Sequence, residues 1–135
     1  MVSLFIVFLC SALISLAQQI DFNYDVRPIL SDKCFACHGP DENTRQAQLR
    51  LDRRKDAILR SAIKPYDAIN SKLVTRIRAE HEMLRMPPIW SDKSLTAEQQ
   101  KILIDWINQG AQYEHHWSYI PAVRPHAPPE SNAID

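Results

Sequence analysis

Apolar positions along the chain fall into helical stripes separated by polar stretches. From Asp21 onward, Phe22, Val26, Ile29 and Leu30 share one face, and Cys34 and Cys37 continue the same stripe. Pro28 lies inside this stretch and predicts either a kink or a helix that properly begins near it. Gly39-Pro40 ends the element directly after His38. A polar middle follows from Asp41 to Asn70, read as a solvated loop with a short helix near Lys55–Arg60. Ser71 is the expected N-cap of a helix with Leu73, Val74 and Ile77 inward. That helix runs out by the loop Met83-Leu84-Arg85-Met86-Pro87-Pro88. The last helix is the plainest. Thr96 and Gln99 form a capping box, Ile102, Leu103, Trp106 and Ile107 make the stripe, and Gly110 supplies the stop. With only two glycines and no hairpin signal, the expectation is an all-α domain.

Length and charge narrow the picture. The chain of 135 residues has room for one small domain, and its sixteen basic residues match its sixteen acidic ones. Nothing in that balance suggests nucleic acid. The first residues, Met1 to Ala17, carry no charged side chain, and Ser15-Leu16-Ala17 offers small residues for cleavage. A spanning helix wants about 20 apolar residues, so residues 1–17 are read as a cleaved export signal; a membrane attachment follows only if this segment is retained. Residues 18–113 are then the folded domain. Residues 114–135, with Pro121, Pro125, Pro128 and Pro129, read as a linker. Export implies a periplasmic or cell-envelope location.

Without the leading segment and its Cys10, two cysteines remain to be explained. Cys34 and Cys37 are three apart and face the same way on a helical turn, and His38 follows. Haem carries two vinyl groups that such thiols can bond as thioethers, and a neutral imidazole one position on can bind the iron. Cys34-Phe35-Ala36-Cys37-His38 therefore reads as attachment of one covalent haem c, with His38 as an axial ligand. A thioredoxin-like dithiol belongs near a βαβ pattern, which is missing here. Zinc wants four ligands, and adjacent His115 and His116 fit that poorly.

Met86 is the expected second axial ligand. A thioether is a soft ligand that raises the potential of a His-ligated haem, and Met86 precedes two prolines that stiffen its loop. Met83 is expected to be a core residue at the end of the preceding helix. His81, His115 and His116 are the rival ligands, and a bis-His site would have a lower potential. Five arginines and two lysines lie between Arg45 and Lys64, where one or two side chains are candidates for pairing with haem propionates. Asp52 with Asp56 is read as solvated helix surface rather than an acid–base pair.

These blocks in this order resemble a class I cytochrome c domain, and more narrowly the planctomycete-type cytochrome c domain. The likeness runs from Asp21 to about Tyr119: DFNYDVRPIL, the haem motif, LRLD, SKLVTRI, MPP, WINQGAQ and HHWSYIP. The resemblance implies first and last helices that cross with the haem between them, so that Phe22, Val26 and Leu30 meet Leu103, Trp106 and Ile107. It also implies larger domains after the cytochrome, with Asn132-Ala133-Ile134-Asp135 as the opening of one. The expected function is one-electron transfer, with no small-molecule substrate, to a redox partner protein or a fused C-terminal domain. Two alternatives stand beside it: the haem as electron inlet or peroxidase-like centre of a larger exported oxidoreductase, and a haem-free module with a Cys34–Cys37 disulfide.

Overall fold

The computed structural model describes residues 19–119 and 121. Residues 1–17, read from the sequence as an export signal, and most of the proline-rich tail lie outside them. Asp21 starts the first element by accepting the Tyr24 N–H at 2.8 Å. Phe22–Val26 then makes a wide π-helical turn that leads into α1, Arg27–Lys33. Pro28 accounts for the change of pitch. It has no N–H to give the Tyr24 carbonyl, and its ring would crowd that carbonyl in a regular α-helix. In the first turn of α1 neither cost arises.

The helical stripe is interrupted at Cys34, whose φ of −126° leaves α-helical values, and α2 is the single turn Phe35–His38. α3 spans Arg54–Leu59, α4 Lys72–Ile77 and α5 Ala97–Asn108, so every regular element among the described residues is helical. The first segment and the last helix pack together. The Phe22 ring lies 5.7 Å from Trp106 and 4.5 Å from Tyr113. Val26, Leu30, Leu103 and Ile107 are wholly buried in one cluster with Leu73, Val74 and Ile77 of α4. Each such aliphatic side chain contributes about 1.5–3 kcal/mol by leaving water, which outweighs any single surface ion pair of the molecule.

One expectation is corrected, and one holds in position but not in its bonding. The short helix of the polar middle forms, but that region is more than solvated loop: Leu51, Ala57, Ala62, Ile63 and Ala68 are all buried in the core. Three of the five are alanines, whose small side chains add little to an apolar pattern. No glycine lies between Arg60 and Asn70, so Ser61 and Tyr66 make the left-handed turns, at φ 55° and 65°. Ser71 does hold the N-cap position of α4, yet its hydroxyl makes no capping bond. It is buried and turned into the preceding loop, accepting the Lys64 N–H at 2.8 Å and donating to the Asp67 carbonyl at 2.9 Å.

α5 follows its sequence closely. The Thr96–Gln99 capping box is present in both directions. Gly110 turns the chain at φ +103°, and any Cβ there would meet the Tyr66 ring at 2.6 Å. Arg54 holds the exit by donating to the Gly110 and Ala111 carbonyls at 3.0 and 2.8 Å. Beyond the helix Trp106 Nε1 donates to the Gln112 carbonyl and Tyr113 Oη to that of Leu51. The chain then returns to the first helix. Asn23 donates to Glu114 Oε2 and the His115 carbonyl, and Arg27 to the Glu114 carbonyl. No helix among the described residues is long and apolar enough to cross a membrane.

Candidate functional site

Closure of α1 on itself sets up the turn that carries Cys34, Cys37 and His38. The Cys34 N–H reaches the Leu30 carbonyl at 2.9 Å, and the Cys34 carbonyl accepts both Cys37 N–H (3.2 Å) and His38 N–H (2.8 Å). The three side chains are thus brought to one turn. Both thiols are half-buried and unbridged, and Cys34 packs against the core. Burial pushes the Cys34 thiol up to about 12, with the Asp32 carboxylate adding to the effect.

The next four carbonyls are held by the loop that follows. Gln46 N–H takes the Cys37 carbonyl at 2.7 Å and Leu51 N–H takes that of His38 at 2.8 Å. Arg45 donates to the Gly39 carbonyl from Nε at 3.0 Å and to the Pro40 carbonyl from Nη2 at 2.6 Å. A one-turn helix has almost no hydrogen bonding of its own, so these bonds fix the direction of the His38 backbone. Gly39 is needed in this turn because a Cβ there would strike the Phe35 carbonyl at 2.3 Å.

His38 itself is half-buried, and its Nδ1 is sealed from solvent with no hydrogen-bond partner. Burial lowers the imidazole pKa and outweighs the Gln46 backbone, which acts the other way. That direction favours the neutral form, the one in which an imidazole binds a metal. A buried polar nitrogen without a partner is costly. Two unbridged thiols and an imidazole on one turn are the donor set that a thioether-bonded haem requires, so the residues present fit that group.

Met86 lies elsewhere in the chain. It is half-buried, its N–H bonds to the Arg76 carbonyl at 3.0 Å at the end of α4, and a cis bond joins it to buried Pro87. Among the described residues no hydrogen bond joins Met86 to the turn of His38. Met83 is not the core residue expected from its place in the sequence. α4 ends at Ile77, and Met83 stands on a turn beyond it, 85% exposed. His81 is exposed there too, its Nδ1 accepting the Met83 N–H at 3.3 Å. His115 is exposed, and His116 Nδ1 lies 2.7 Å from Ser118 Oγ.

Leu84, Ile89 and Trp90 flank Met86 as exposed apolar side chains, a cluster whose only sequence signal is four large apolar residues in a short polar loop. Arg45, Arg50 and Arg54, three of the candidates for propionates, are engaged by protein: Arg45 and Arg54 by carbonyls, Arg50 by the Asp52 carboxylate. That pairing also accounts for Asp52. Among the described residues no three His, Cys, Asp or Glu side chains converge as a metal cage would. A cleft of about 530 Å³ between Ile20 and α5 contains none of the site residues, and of its acids Asp25, Glu98 and Asp105 the last pairs with Lys101.

The described residues thus form an all-helical domain with Cys34, Cys37 and His38 on one closed turn. Residues 34–89 match the family model described as planctomycete cytochrome C, and that match supports a planctomycete-type cytochrome c domain in this stretch. The matched stretch opens on Cys34 and includes Met86. A domain of that kind implies a haem cofactor and suggests haem-based electron transfer. No curated protein and no solved structure matches the chain.

Proposed function

We propose that this domain is an exported one-electron carrier, with a single haem c bonded through Cys34 and Cys37 and its iron held by His38 and Met86. The observation that carries the reading is a half-buried His38 with a sealed, unpartnered Nδ1 on one turn with two unbridged thiols. Haem bound there supplies an Fe(III)/Fe(II) couple. The chain's own part is to orient and to shield. Cys34 and Cys37 would fix the group just beyond α1, the held carbonyls of residues 37–40 would steady the imidazole, and the Met86-Pro87-Pro88 loop, anchored to α4 through Arg76, would offer a soft sulfur. Methionine paired with histidine raises the potential. The partner is a redox protein or a fused domain, met in the periplasm or cell envelope.

Protein made with the c-type maturation machinery tests this directly. A pyridine haemochrome spectrum is expected to show two thioethers per haem, and staining after denaturing electrophoresis to show haem retained on the chain. Met86→Ala is expected to lose the weak far-red band of methionine-ligated ferric haem and to bind carbon monoxide readily when reduced. A chain that matures without thioether-linked haem overturns the attachment, and an unaltered Met86→Ala spectrum overturns the sixth ligand.

A further inference from the structure

The Met86 loop and the Cys34–His38 turn come from separate stretches of chain, and one side chain joins them. Lys93 donates from Nζ to the main-chain carbonyl of Asp32 and, at 2.8 Å, to Oδ1 of the same residue. Asp32 lies two residues before Cys34, in the last turn of α1. Lys33 Nζ occupies its other carboxylate oxygen at 2.8 Å.

The link between Lys93 and Met86 is short and folded rather than slack. Ile89–Ser91 forms a 3-10 turn, Ser91 Oγ donates to the Pro88 carbonyl at 2.6 Å, and Lys93 N–H returns to Ser91 Oγ at 3.4 Å. On its other side Met86 is pinned by its own N–H to Arg76. Met86 therefore sits between an anchor on α4 and an anchor on α1.

We propose that Lys93 is a positioning residue whose clasp on Asp32 keeps the Met86 loop closed over the haem-bearing turn and slows departure of the Met86 sulfur from the iron. This rests on the reading of Met86 as axial ligand. An exposed ion pair alone contributes little and is screened by salt. Here one ammonium meets two acceptors, one of them a carbonyl at the negative end of a helix. Local opening of a loop involves small free energies, so even a modest bond changes the open population several-fold.

The test is imidazole binding to the ferric holoprotein, followed by rapid mixing, because imidazole enters only after the sulfur leaves. Lys93→Ala is expected to bind about fivefold faster at low salt, with the heat-unfolding midpoint little changed. Lys93→Arg, which can span both acceptors, should restore the slow rate. Lys101→Ala breaks a comparable pair on α5 with Asp105 and should leave the rate unchanged. Amide exchange over residues 83–91 should rise in Lys93→Ala alone. Equal imidazole rates in Lys93→Ala and the native protein overturn the clasp, as does an equal gain in Lys101→Ala. Should Lys93→Ala fail to fold, Asp32→Asn, which keeps the carbonyl and loses the ion pair, carries the test through an intermediate rate. Failure of the ligand assignment would be separate, since Met86→Ala would then keep the native ferric spectrum.

Discussion

At the scale of single residues, the same few atoms serve several neighbours. Asp32 receives Lys33 and Lys93 on its carboxylate and Lys93 again on its carbonyl. The hydrogen bond from Lys33, then that from Lys93, holds its carboxyl at about 2, below the usual 3.8. A carboxyl depressed in the folded state stabilises fully above its unfolded value, and that contribution is lost as pH falls through the folded one. NMR titration of Asp32 should thus place the clasp intact at pH 5 and dissolving only between about 4 and 2. Lys33→Ala should move the midpoint back toward the ordinary value, and a midpoint already ordinary in the native protein would contradict the geometry. That Cys34, Cys37 and His38 share one turn was legible because they fall within five positions of the sequence. Arg45 and Lys93 were not, since each acts through a backbone carbonyl, and no residue type at the far end announces that bond.

At the scale of elements, Ser71 and Thr96 both occupy N-cap positions and do different things there. Thr96 accepts the Gln99 N–H in an exposed capping box, and Thr96→Ala should cost about 1 kcal/mol. The Ser71 hydroxyl is buried and ties α4 to the loop before it, so Ser71→Ala strands the Lys64 N–H and should cost more, about 1–3 kcal/mol. Urea unfolding of the two variants would check the order, and an equal or smaller loss for Ser71→Ala would reverse it. α5 was readable from end to end because stripe, capping box and terminal glycine agree. The stretch from Leu51 to Ala68 was not. Its anchors are alanines too small to mark a face, and bonds such as Arg54 to Gly110 that span 56 residues. Residues on either side of such a bond give no local sign of each other.

At the scale of the molecule, the first segment, the last helix and the chain just beyond it share one aromatic cluster of Phe22, Trp106 and Tyr113, and the packing of first against last helix is what the resemblance implied. What no stripe could reveal is how the chain leaves that cluster. Ile20 N–H bonds to the Gln109 side chain, and Asn23 reaches Glu114 and His115, so the two ends of the domain run side by side on one face. Ends so placed make the domain a cassette. It can be spliced into a surface loop of another protein through two short joints, or closed on itself and reopened elsewhere. A circular permutant that joins His115 to Gln19 through a short glycine-serine link, and opens between exposed Glu42 and Asn43, is expected to keep the native helical circular dichroism and cooperative unfolding. A permutant with no cooperative transition would refute this. Where the ends meet, evolution and engineering alike have a point of insertion that leaves the Cys34–His38 turn untouched.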